Sequence, residues 1–148
     1  MSVNTKFQER TAILATLDSA SVAAGTVLTA YVPVANFHSI AAMIDVGAFG
    51  AGATVDAKLR QSQDNAGTGV KDIAGKAITQ LVAAGGNNRQ AIIECRGEDL
   101  DVTNGFGFVC LSVTVGVAAT QLCAFLCGAN QRYAPVAPFN QAGVAQLV

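Results

Sequence analysis

The chain has 148 residues, enough for one domain with a real core. Only 13% of them are charged, against roughly 25% in ordinary soluble domains, and nine basic residues balance ten acidic ones to a net charge of -1. No basic run is present, which excludes the electrostatic footprint of a nucleic-acid binder, and the 51% apolar content, rich in Ala and Val, describes a surface that accepts close neighbours.

In chain order, residues 1–10 are a polar N-terminal arm without the apolar run of a signal peptide. Thr11–Leu17 is the first predicted strand, and Asp18–Ser21 closes it as a turn. Gly25 opens a second strand that runs to about Val32, where Pro33 cannot donate to a ladder. After a loop at Ala35–Phe37, His38–Val46 is predicted to form a hairpin with Thr54–Ser62 across the glycine-rich tip Gly47–Gly52. That tip lacks the Lys-Ser/Thr pair and the following helix of a phosphate loop. His38, the single histidine, has no catalytic partners at triad spacing.

The stretch TVDAKLRQSQDNAGTGVKDIAGKAITQL, Thr54–Leu81, organises the chain. Val55, Ala57 and Leu59 alternate with Asp56, Lys58 and Arg60, so the strand buries one face and presents a charged strip on the other. Asp64–Asp72 is an exposed loop; Asp64, Asn65 and Asp72 carry oxygen donors, but the order of a calcium loop is missing. Gly75–Leu81 is the next strand, and together the two read as the central pair of a sandwich. Ala83–Arg89 is a turn and Gln90–Arg96 a strand.

Gly97–Asn104 holds Glu98, Asp99 and Asp101, too contiguous for carboxylates facing each other across a cleft; they read as a solvated acidic turn plugged by Leu100 or Val102. Val102–Gln131 has no charge and is long enough to cross a bilayer of about 30 Å. Its polar and glycine interruptions and its β-branched residues instead predict two buried strands, Phe106–Val115 and Gln121–Asn130, joined by a turn at Gly116–Thr120. Residues 132–148 carry Pro135 and Pro138 and no charge beyond Arg132, and form an extended C-terminal arm that packs on a partner. Cys95, Cys110, Cys123 and Cys127 read as free thiols in the core; Cys123 and Cys127 share a strand face about 13 Å apart, too far to bridge directly. Without a CxxC pair or a nearby His, zinc is not expected.

The sum is an all-β chain: an antiparallel β-sandwich or jelly-roll-like single domain over 11–131, with an N-terminal arm at 1–10 and an extended C-terminal arm at 132–148. The strand order stays open between a jelly roll and an immunoglobulin-like arrangement. One His, scattered carboxylates and no nucleophile motif leave no basis for an enzyme or a cofactor.

VDAKLRQSQDNAGTGVKDIAGKAITQL, followed by RQAIIECRGEDLDVTNGFGFVCLSVTVG, resembles a family of small virion structural proteins encoded in the head-gene region of tailed bacteriophages and prophages. The resemblance covers Ala41–Val117 and is loose at both arms. It implies a capsid decoration or cement protein, made in the bacterial host cytoplasm and located in the virion. Its partners would be the major capsid protein or other virion proteins and copies of itself, a trimer being one arrangement. It implies no catalytic residues. A head–tail adaptor, a tail component or a fibre-base protein are alternatives in the same particle. A carbohydrate-binding sandwich is the alternative outside it, with Tyr31, Tyr133 and Phe139 as the available aromatic platforms. The candidate interface comprises the strip Asp56, Lys58 and Arg60 and the arm residues Tyr133, Pro135, Pro138, Phe139, Leu147 and Val148.

Overall fold

The computed structural model describes residues 6–133 and 143–146. The described strands are β1 (Thr11–Val22), β2 (Gly25–Leu28), β3 (Val32–Pro33), β4 (Phe37–Phe49), β5 (Thr54–Ser62), β6 (Lys71–Ala77), β7 (Leu81–Val82), β8 (Arg89–Arg96), β9 (Phe108–Gly116) and β10 (Thr120–Gln131). They form two antiparallel sheets. Sheet A has the order β1-β10-β4-β8; sheet B has the order β2-β9-β5-β6, with β3 also on β9 and β7 also on β5. The pairs β1–β10, β2–β9, β4–β8 and β5–β6 nest inside one another like the rungs of one long hairpin. Rolling that hairpin sets β10 beside β4 and β9 beside β5. This is a jelly roll, the all-β architecture that folds a long antiparallel ribbon into two facing sheets.

The roll overturns one predicted connection. β4 and β5 lie in different sheets and are not a hairpin. Gly50 explains the crossing: its N–H donates to Ala119 O at 2.9 Å, and a Cβ there would meet that oxygen at 2.5 Å. The tip at Gly47–Gly52 is thus held against the β9–β10 turn and steers the chain across the sandwich. β9 and β10, joined by a short turn, likewise belong to opposite sheets. The uncharged Val102–Gln131 segment contributes these two strands, and among the described residues no helix is long and apolar enough to cross a membrane.

Two further differences have local causes. Asp18–Ser21 is not a turn but part of β1, because β10 offers ladder partners as far as Thr120. The polar side chains there remain exposed while the backbone pairs, with register shifts near Ile13/Ala15 and Leu17/Ala20. The strand after β5 is Lys71–Ala77 rather than Gly75–Leu81, and it lies at the edge of sheet B. Gly75, at φ +71°, interrupts it where the β5–β6 register slips between Lys58 and Arg60. β5 is a central strand; β6 is not.

The core lies between the sheets. Sheet A contributes Ile40, Ala42, Ile44 and Val46 from β4 and Leu122, Ala124 and Leu126 from β10. Sheet B contributes Val55, Ala57 and Leu59 from β5 and Val109, Leu111, Val113 and Val115 from β9. The strict alternation on β5 places these side chains inward, each full-sized one stabilising the fold by about 1.5–3 kcal/mol.

Candidate functional site

β5 projects Asp56, Lys58 and Arg60 outward from sheet B, opposite Thr114, Ser112 and Cys110 of β9. The strip is closed on itself. Lys58 Nζ lies 2.7 Å from Asp72 Oδ2, and Arg60 Nε lies 3.0 Å from Asp72 Oδ1. Gln80 Nε2 donates to Asp56 Oδ2 at 2.7 Å. Asp72, read from the sequence as a loop residue, is therefore the hub of the strip. The hydrogen bond from Lys58 holds its carboxyl below the usual range, with the charges of Lys58 and Arg60 adding to this. At about half exposure such pairs contribute little net stability, roughly 0–1 kcal/mol. Beside them, the β5–β6 register slip leaves a shallow groove of about 320 Å³ lined by Asp56, Lys58, Ile78, Ser112 and Thr114.

The acidic turn is not simply solvated. Asp99 accepts from the Arg96 backbone N–H at 2.8 Å and lies 3.1 Å from Lys76 Nζ. Asp101 pairs with Lys71 and accepts from Asn104 Nδ2. Both carboxyls are lowered, Asp99 chiefly by the Arg96 N–H and Asp101 chiefly by Lys71. Only Glu98 stays on the surface, in an exposed pair with Arg96 at 3.5 Å. Leu100 is the buried plug; Val102 is 65% exposed. In the other loop, Asp64 accepts from the N–H groups of Ala66 and Thr68 and from the Thr68 hydroxyl, so its oxygens order the loop itself. No group of His, Cys, Asp and Glu among the described residues could hold a metal ion.

A polar cleft of about 550 Å³ opens at one end of sheet A, lined by His38, Ser39, Glu94, Arg96, Glu98 and Arg132. Both ends of the domain meet beside it. Thr11 pairs with Ala129, the Asn130 N–H donates to Arg10 O at 3.0 Å, and Gln131 Nε2 donates to Glu9 O. Arg132 continues inward, its N–H donating to Asn36 O at 2.9 Å and its Nε to Phe37 O at 3.3 Å. Tyr133 follows, 78% exposed. The other arm candidates, Pro135, Pro138, Phe139, Leu147 and Val148, lie outside the described residues.

The outward face of sheet A is of a different kind. Ladder partners set Phe125 beside Met43 and Met43 beside Ile92, with exposures of 42%, 39% and 63%. Ala41, half-buried, and Cys127, buried, lie on one side of this row. Cys123, beside Asp45, lies on the other. All four cysteines are free, with Cys95, Cys110 and Cys127 buried and Cys123 half-buried. Sequence reading noted that Cys123 and Cys127 share a face but missed the row between them. The signal was there: apolar residues stand at both parities of β10 and β4, the pattern of strands covered on both faces.

No family model and no curated protein matches the chain. Among solved structures it is similar to a chain of the disulfide-linked pili of Bacillus endospore appendages, at 14% identity over 88% of this chain and 99% of that chain, with a TM-score of 0.38. A chain of the infectious bursal disease virus Gt strain is 11% identical over 87% of this chain and 33% of that chain, at a TM-score of 0.45. A chain of the cowpea mosaic virus top component is 12% identical over 94% of this chain and 98% of that chain, at 0.43. At these scores the jelly-roll assignment rests on the strand ladders alone.

Proposed function

We propose that this chain is a structural protein of a tailed-bacteriophage virion, a capsid decoration or cement protein that binds the assembled shell and stabilises it. The observation that carries the reading is the meeting of both arm roots at one end of sheet A, through the Thr11–Ala129 pairing and the Asn130–Arg10 hydrogen bond. A rigid roll with two segments leaving from one corner has an attachment end and a free end. On this reading the arms beyond these anchored roots contact neighbouring shell subunits, where strand addition supplies main-chain hydrogen bonds without special side chains. Many weak attachments on a lattice add up through multivalency. The major capsid protein is the partner this reading names, with no catalytic step and no cofactor.

Jelly rolls serve capsid and lectin domains alike, so architecture alone does not choose between them. Tyr31 weighs against a sugar platform: its ring lies against Gly67, and its hydroxyl is engaged with Cys110. The test uses shells assembled without this chain. Added full-length protein should bind saturably and raise the temperature at which the shells open. A variant lacking residues 132–148 should stay folded by circular dichroism and bind at least tenfold more weakly. Equal occupancy of the truncated protein would remove the arm from the mechanism, and no binding by the full chain would overturn the proposal.

A further inference from the structure

We infer that the outward face of sheet A is a self-association surface, on which a second copy of this chain packs face to face about a two-fold axis along the Phe125–Met43–Ile92 row. The inference rests on that face and not on the virion reading.

An antiparallel sheet with one solvated face shows polar residues at every outward position. Sheet B comes closer to this: its outward positions include Thr26, Thr114, Asp56, Ser112, Lys58 and Arg60, with Lys58 and Arg60 in ion pairs and a 2.8 Å contact between the Thr26 and Thr114 hydroxyls, against Leu28 and the buried Cys110 as its apolar members. Sheet A does not. Its middle strands place Phe125 on β10 and Met43 on β4 toward the outside, with the half-buried Ala41 and the buried Cys127 beside them. The charges near this row, Asp45, Asp18 and Glu94, border it rather than enter it, which is the layout of an apolar interface core with a polar rim. Two are already partnered within the chain: Gln90 Nε2 donates to Asp45 at 2.7 Å and the Thr16 hydroxyl to Asp18 at 3.3 Å.

The size fits a pair of copies. Four strands about 4.8 Å apart and the Gln121–Ala129 span of β10, at about 3.4 Å per residue, outline roughly 500–600 Å² per copy. Two copies together bury roughly 1,000–1,200 Å², just at the level of a specific interface. A second copy is favoured over an unrelated partner because an apolar row over three of the four strands, continued on β1 by Thr16, matches itself. Rotation about the row superposes row on row, as an isologous contact requires.

Sedimentation velocity on the full chain at about 100 µM, well above a micromolar dissociation constant, reads the outcome. The unmodified protein should sediment as a dimer. Ile92→Lys changes a side chain that is 63% exposed and should shift the protein toward folded monomer, with association weakened at least tenfold. Met43→Gln is the milder second variant, expected to act in the same direction. Leu28→Lys, 44% exposed on the opposite sheet, should remain dimeric. A monomeric unmodified chain, or a dimer that survives both sheet A variants or is lost with Leu28→Lys, would overturn the inference.

Discussion

Gly128 shows how tightly single positions are specified. It stands on β10 facing the core, and a Cβ there would come within 2.6 Å of the Phe37 ring, which is fully buried. Gly128→Ala should therefore cost about 1–3 kcal/mol, as overpacking does, and lower the melting temperature by several degrees. Unchanged thermal unfolding would mean that the ring can yield. The thiols differ just as sharply. Burial pushes Cys95 up to about 11, with Asp99 adding to the shift, while Cys123 is half-buried on the sheet A surface. Cys123 should be the first to react with a disulfide reagent at pH 8 and Cys95 should react only on unfolding, because the thiolate is the attacking form. Mass spectrometry of the labelled protein checks the order; early labelling of Cys95 would contradict the packing around it. The sequence announced these cysteines as buried thiols, but not which of them would reach the surface, since that depends on the faces of strands whose pairing it did not reveal.

At the scale of elements, β6 is the edge strand of sheet B and is held by charge more than by burial. Ile73 is its buried residue, while Lys58 and Arg60 grip Asp72, and Lys71 and Lys76 reach Asp101 and Asp99 in the acidic turn. The three Asp carboxyls, and Asp64 in the preceding loop, all have lowered folded-state pKa values. A carboxyl lowered on folding stabilises the protein above its unfolded pKa, near 3.9, and that contribution disappears as pH falls through the folded value. The melting temperature should thus fall as pH drops from 5 to 3, and the double change Asp99→Asn with Asp101→Asn should flatten the fall. Thermal unfolding across that range decides it, and an identical slope in the double variant would remove the acidic turn from acid stability. The strip and the turn were legible as residue types. Their pairing was not, because Lys71 and Asp101 meet only when the turn before β9 folds back against β6.

For the molecule as a whole, the nested ladder joins the first strand to the last, Thr11 to Ala129 and Val22 to Thr120. Such long-range pairing is the slow kind, placing folding in the millisecond-to-second class. Alternation at Val55, Ala57 and Leu59, glycine and proline punctuation, and β-branched runs were enough to determine an all-β sandwich, because strand side chains alternate faces whatever their neighbours. The same local signals misread Asp18–Ser21 as a turn and β4–β5 as a hairpin. Backbone hydrogen bonding from a distant strand overrides a local turn preference, and a glycine tip reads the same whether it closes a hairpin or crosses a sandwich. Composition by itself determined a chain of small apolar residues with little charge to repel a neighbour. Only the tertiary structure decided which of those apolar residues face outward, because apolar residues at both parities of a strand become an interior and an exposed face only once the roll has turned one side of the sheet inward.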